Sequence, residues 1–336
     1  MESTLADSRD DLSLRTHAHP ISAQELIKTY HLMLLSRRFD ERCTQLLRQG
    51  KLVPHYHSGV GQEALMVAPV IPLKRADQMI YTHRGYAHLL AKGISLKEIA
   101  LDMFMKVGGT NCGLGGVMHV SRPDLGVPGR EGVFGGRFGI AAGLALAAKL
   151  RKTSDVVVCF YGEAAGSRGI LYEALNMAVL WSLPLILVAE NNGWSFTSRT
   201  EWLYPQGRMS RVWRGFDIPV DVVDGNDVDA IFSSMTAAID RARSGKGPSI
   251  IEGLTYRLDP HIWYDDGLYQ PKEEIARWRE RDPLVLAAAR LRAMGRRDGE
   301  LDAIGERVQA EIEDVFRAVN EARDARWQDV QGLVVR

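Results

Sequence analysis

Apolar residues recur along this chain with two different periods, and the switches between them mark its elements. From Ser22 onward (SAQELIKTYHLMLLSRRFDERCTQLLRQG) they follow a helical period. Ser22 and Glu25 form a capping box that starts this helix, and Gly50 ends it. Residues 155–160 (DVVVCF) and 183–189 (LPLILVA) are solid apolar runs without alternation, the pattern of parallel strands covered on both faces. Residues 170–181 between them are helical. The strand–helix–strand rhythm repeats with 220–223 (VDVV), a helix over 228–243 and a strand over 249–251. The pattern predicts an α/β fold, a mostly parallel sheet with helices on both faces. Residues 283–326 are helical and laced with charge, a solvated extension. The expected organisation is a mobile arm over 1–20, an α/β domain over 21–282 and a helical extension over 283–336. No internal repeat or low-complexity tract interrupts it.

Composition narrows the function classes. The chain has 336 residues, 46% of them hydrophobic, enough for a large core without disulfide or metal staples. Lys+Arg and Asp+Glu are both 42, so no bulk positive field exists to hold nucleic acid or an anionic membrane. No segment approaches about 18 consecutive apolar residues, the length of a spanning helix. Cys43, Cys112 and Cys159 form no CxxC pair, which fits a reducing compartment. The polar, acid-containing N-terminus lacks the features of a signal or transit peptide. A cytoplasmic protein is expected. His17 and His19 sit in the polar leader, where a metal role is the lesser reading.

In open parallel sheets, ligands bind at the carboxyl ends of the strands. Three segments meet that rule: FYGEAAGSRG (160–169), AENNGWSF (189–196) and TYRLDPHIWYDD (255–266). Gly162, Gly166 and Gly169 in the first offer free backbone N–H groups and a helix start, which favour a phosphate. Glu163 in the same turn adds a carboxylate, and Asn192 at the next strand end adds an amide oxygen. Phosphate with oxygen donors suggests a bridging Mg²⁺. The competing readings are an ordinary glycine-rich turn or a loose nicotinamide fingerprint. The order GxxxGxxG, and a preceding strand that is not N-terminal, both count against the dinucleotide reading.

The run FYGEAAGSRGILYEALNMAVLWSLPLILVAENNGW resembles the thiamine-diphosphate motif of the alpha subunits of 2-oxoacid dehydrogenases, the pyruvate, branched-chain and acetoin families. Their motif is GDG, a long spacer, then NN. The segments HSGVGQEA (57–64), THRG (82–85), GLGGVMH (113–119), EGVFGG (131–136), VDGND (223–227) and KEEIARWRERDP (272–283) resemble family segments in the same order. THRG and PDLG (123–126) lean toward the acetoin branch. The resemblance implies the thiamine-diphosphate-binding fold. It also implies an α₂β₂ heterotetramer with the cofactor at the interface to a beta-type subunit, and a lipoyl-bearing acyltransferase as a further partner. Glu163, Asn192 and the carbonyl of Trp194 then take the metal positions. His83, Arg84 and Arg257 take the diphosphate positions, with Gly162, Ala164 and Ala165 in the cofactor turn. Gly132 and Phe134 fall where backbone groups meet the aminopyrimidine. His57 and His261 match the two histidines that handle substrate. His55, His88 and His119 are left as packing or rim residues.

The departures from the family cluster at the cofactor. GDG is Gly162-Glu163-Ala164 here, so the carboxylate is one methylene longer and a methyl stands where glycine allows close approach. Ser167 and Arg168 replace an asparagine and a glutamine, and Arg137 stands at another glutamine. No serine follows His261, so the kinase-operated switch of animal pyruvate dehydrogenases is not expected. Two readings follow. In one, an active enzyme subunit uses Arg168 or Arg137 against diphosphate or substrate charge. In the other, a silent subunit keeps the fold and partner interface. A nicotinamide-dependent oxidoreductase ranks third. The small-molecule substrate is not specified.

Overall fold

The computed structural model describes residues 19–334 apart from 53–54, 85 and 117. His17 and most of the expected arm lie outside the described residues. The main sheet has strands β1 (Gln78–Ile80), β2 (Val157–Gly162) and β3 (Leu185–Asn191). A short antiparallel ribbon, β4 (Trp194–Ser195) with β5 (Ser198–Arg199), follows β3, and β6 (Val220–Asp224) and β7 (Ser249–Leu254) complete the sheet. The order across the sheet is β1-β2-β3-β7-β6, and every neighbouring pair is parallel. The central strands β3 and β7 are buried at every residue. The solid apolar runs in the sequence reflect this, since both faces of the sheet are covered.

Successive side chains of a strand point to opposite faces, and the sheet divides two cores accordingly. Val158 and Phe160 of β2, with Ile186 and Val188 of β3, enter one core. Val157, Cys159 and Tyr161, with Leu185 and Leu187, enter the other, against helices Gly136–Leu150 and Gly169–Leu180. Cys159 is fully buried in this second core. The first helix is Ala23–Arg48. Its capping box is formed: Ser22 Oγ accepts from Glu25 N at 3.2 Å, and Glu25 Oε2 accepts from Ser22 N at 3.0 Å. The tail forms helices Pro283–Ala293, Asp298–Glu321 and Trp327–Val334. Its solvated character holds for one face only. Leu301, Ile304, Val308, Ile312, Val315 and Val319 repeat at helical spacing and are buried in the first core, and Phe316 stacks on Phe39 at 5.8 Å. No helix among the described residues is long and apolar enough to cross a membrane.

One buried carboxylate ties the sheet edge to the segment beyond it. Glu252 of β7 is fully buried. Its Oε1 accepts from Asn191 Nδ2 at 2.6 Å and Met209 N at 2.9 Å, and its Oε2 accepts from Ser210 N at 2.8 Å. Asn191 Nδ2 also donates to Gly207 O at 2.9 Å. Glu252→Gln keeps one acceptor and turns an amide N–H₂ toward a backbone N–H. The expected result is a loss of about 1–3 kcal/mol of stability, the cost of an unsatisfied buried donor. A shift of the chemical denaturation midpoint measures it.

Candidate active site

The register of the sheet brings the strand ends level. Gly162 pairs with Glu190, and Asn191 pairs with Leu254. Glu163, Asn192 and Arg257 therefore leave the sheet at one edge. The chain leaving β1 carries Thr82, His83 and Arg84 toward the same edge.

Arg84 and Arg257 are almost wholly buried, at 3% and 1% exposure. Neither has a carboxylate within ion-pair distance among the described residues. Arg84 Nη1 donates to Ser58 O at 2.6 Å, and its Nη2 donates to His261 O at 2.8 Å. Arg257 Nη2 donates to Phe196 O and to the Tyr269 hydroxyl, each at 2.8 Å. The two guanidiniums meet at one ring: Arg84 Nη2 and Arg257 Nη1 lie 3.1 and 3.3 Å from His261 Nδ1. Burial, then the charge of Arg257, lowers Arg84 to about 9. Burial also lowers Arg257. Two buried cations without an ion-paired carboxylate make a site for an anion of more than one charge.

Three histidines face this pair. The His57 and His83 rings are 4.6 Å apart, and those of His57 and His261 are 5.1 Å apart. Burial, then the Arg84 charge, pushes His57 to about 2 and His261 to about 3, and holds His83 well below its usual value. Their nitrogens lie within 4.8 Å of one another. That spacing suits a metal, but a dication would meet both guanidiniums, so the cluster suits an anion instead. His57 Nδ1, His83 Nε2, Gln62 Nε2 and Arg257 Nε are buried without a partner among the described residues. Native proteins leave few such atoms, and several around one centre mark where a polar ligand belongs.

The oxygen donors lie at the ends of β2 and β3. Glu163 is 3% exposed and opens the single helical turn Glu163–Gly166, with Gly162 extended as its cap. Its Oε1 accepts from Asn192 N at 2.6 Å. The longer side chain thus folds onto the next strand end. Burial is the main reason its carboxyl is raised to about 7, and a cation beside it would draw the proton off. Asn192 Oδ1 accepts from Trp194 N at 3.2 Å, and Asn192 Nδ2 donates to Gln62 Oε1 at 3.1 Å. A carboxylate, an amide oxygen and a peptide carbonyl are the hard donors Mg²⁺ prefers. A Cβ added at Gly162 meets nothing within 4 Å, so the backbone there is open to close approach. Ala165 is buried and Ala164 half-buried in the same turn.

Other expected residues fall elsewhere. Gly132 and Phe134 lie in an exposed loop, with Phe134 at 55% exposure, so within this chain they cover nothing in the cluster. Arg137 is buried; its Nε donates to Glu131 Oε1 at 2.8 Å, and its Nη1 donates to Phe160 O at 2.8 Å and Tyr81 O at 3.2 Å. These bonds tie the chain after β1 to β2 and hold the guanidinium within the fold. Arg168 is exposed, beside Gly135. His88, left as a packing residue, is buried with its Nε2 2.9 Å from Glu190.

Several residues of the site were not singled out in the sequence. Asp265 Oδ2 accepts from His261 N at 3.1 Å and from the Tyr269 hydroxyl at 2.7 Å, which fixes the loop carrying His261. The Phe196 ring lies 4.5 Å from that of His261. Gln62 braces Asn192. Gln62 sits inside HSGVGQEA and Asn191 inside the NN pair, so the motifs pointed to them. Phe196 and Asp265 lie within the strand-end segments 189–196 and 255–266, and only Tyr269 lies outside them.

The family model for the dehydrogenase E1 component matches residues 30–328. The alpha subunit of acetoin:2,6-dichlorophenolindophenol oxidoreductase from Bacillus subtilis is 36% identical over 261 residues, 78% of each chain. The pyruvate dehydrogenase E1 component alpha subunit of Rhizobium meliloti is 36% identical over 275 residues, 82% of this chain and 79% of that one. Its counterpart from Zymomonas mobilis is 35% identical over 293 residues, 87% and 83% of the two chains. With a family match over this span and relatives at this identity and coverage, the chain belongs to the dehydrogenase E1 component family.

Proposed function

We propose that this chain is the alpha-type subunit of a cytoplasmic α₂β₂ enzyme that holds thiamine diphosphate and Mg²⁺ and acts on a 2-oxoacid or acetoin-like carbonyl substrate. The observation that carries this reading is the pair of buried guanidiniums without carboxylates, facing a histidine cluster, at a sheet edge that also presents Glu163 and Asn192. Arg84, Arg257 and His83 would hold the diphosphate. Glu163, Asn192 and the Trp194 carbonyl would hold the metal. When bound, the cofactor supplies a thiazolium carbon for chemistry at a carbonyl group, while the protein supplies position and field. Gly132 and Phe134, exposed here, are assigned to the aminopyrimidine side, where a beta-type partner would cover them.

The electrostatics give His57 and His261 a role. Both are held neutral, first by burial and then by Arg84. An anion on Arg84 and Arg257 offsets the positive field and raises the affinity of both rings for a proton. They then become able to accept and return a proton at the substrate. Charge balance between the arginines and their anion thus adds to burial in setting how readily the histidines take a proton. A lipoyl-bearing acyltransferase is assigned as the acceptor's carrier.

The reading is tested with the chain assembled with its beta-type partner, using 2,6-dichlorophenolindophenol as electron acceptor. The expected result is dye reduction with pyruvate, another 2-oxoacid or acetoin, and only when thiamine diphosphate is present. The chain without its partner should be inactive. Dye reduction that needs neither partner nor cofactor would overturn the assignment.

A further inference from the structure

We propose that Asp40, on the long first helix, is a positioning residue that sets His57 and Arg84 in place through the loop between them. This rests on the reading of that site given above. Asp40 is 1% exposed. Its Oδ1 accepts from the Tyr56 hydroxyl, and its Oδ2 accepts from Gly59 N at 3.0 Å. These two donors bracket His57 and Ser58, so one carboxyl group grips the histidine loop on both sides. The grip continues into the site. Ser58 O accepts from Arg84 Nη1 at 2.6 Å, and Arg84 Nη2 reaches His261 O at 2.8 Å. The Tyr56 ring stacks on Tyr86, just beyond Arg84 in the chain, at 5.6 Å and 10°. A Cβ at Gly59 would lie 3.2 Å from Met66 Sδ and 3.4 Å from both Arg84 O and Asp40 Oδ2. The loop is therefore laid tightly between the helix and the arginine segment.

A buried carboxyl group is a costly way to fill space. No lysine, arginine or histidine lies within ion-pair distance of Asp40 among the described residues. Both of its oxygens are spent on the histidine loop. A group that only anchored the first helix would not need two acceptors aimed at the backbone and side chain flanking His57.

The test uses Asp40→Asn and Tyr56→Phe, singly and together, in the chain assembled with its partner. Asparagine keeps the size but leaves one of the two donors without an acceptor. The expected result for Asp40→Asn is a fall in kcat of roughly 10- to 100-fold, the scale of a small misplacement of a catalytic group, with KM little changed. The double variant should be no worse than the poorer single variant, because both cut one link. A second readout needs no turnover: exchange of the His57 C2 hydrogen with deuterium against pH, followed by mass spectrometry. In the cofactor-free parent assembly, burial and Arg84 should hold the His57 midpoint below that of an ordinary histidine, and in Asp40→Asn it should rise as the ring leaves its place beside Arg84. Were Asp40→Asn to fail to fold, Tyr56→Phe carries both readouts. An unchanged midpoint with full kcat in a folded variant overturns the proposal, as do additive losses in the double variant. A shifted midpoint in an assembly that turns over no substrate leaves the positioning role standing and removes the functional reading instead.

Discussion

Replacing Arg84 or Arg257 by alanine is expected to weaken thiamine diphosphate binding to the assembled enzyme by roughly 2–4 kcal/mol, about 30- to 1,000-fold. Each guanidinium is buried, lacks a carboxylate partner, and feels the other's charge. The free protein therefore holds unfavourable positive charge that a diphosphate relieves. Burial keeps water from screening that gain. Arg168→Ala serves as the control. Its side chain is exposed, and the variant should bind cofactor like the parent. Arg137→Ala separates the roles further, because its donors hold Glu131, Tyr81 and Phe160. That variant should lose stability rather than cofactor contacts. Calorimetric titration of each variant checks all of these. Unchanged affinity in both Arg84→Ala and Arg257→Ala would remove the diphosphate site from this pair.

The second large effect concerns Glu163. Its carboxyl is buried against Asn192 N, and burial raises it to about 7. Without a cation, holding this charge is costly; with Mg²⁺, the charge becomes the metal's main anchor. Glu163→Gln keeps the side-chain size and the acceptor for Asn192 N but removes the charge. The metal-dependent part of cofactor binding should fall by roughly 3–5 kcal/mol, the cost of removing one partner from a buried charge pair. Because the metal must displace a proton, its benefit should also shrink as pH falls below about 7. The extra methylene of glutamate is accommodated by folding the side chain back onto the β3 end, so the departure from aspartate does not expel the carboxylate from the strand-end cluster.

The sheet was legible where strands were long and solidly apolar, as in β2 and β3, and the motif residues at their ends followed. Strand β1 was not, because three residues, one of them Gln78, carry no periodic signal. The sequence placed Glu163, Asn192, Arg84, Arg257, His57 and His261 in one site, and the strand register explains why residues so distant in the chain share an edge. It offered no way to see that Arg137, in the first turn of helix Gly136–Leu150, bonds within the fold while Arg257 faces the histidine cluster, since only tertiary contacts separate the two. Glu252 was readable in principle: a charged residue inside SIIEGL must have partners if the strand is covered on both faces. Asp40 was not, for an acidic residue on an amphipathic helix usually faces water. The tail's charge masked a buried stripe, because the polar residues outnumber the apolar ones that dock it.

The central claim is that this sheet edge holds thiamine diphosphate through two arginines and a Glu163-anchored metal. Calorimetric titration of thiamine diphosphate into the chain assembled with its beta-type partner, with and without Mg²⁺, tests it most directly. The account predicts saturable binding that tightens when magnesium is present, and a tightening that disappears in Glu163→Gln. Binding indifferent to magnesium, or no binding under either condition, would contradict it.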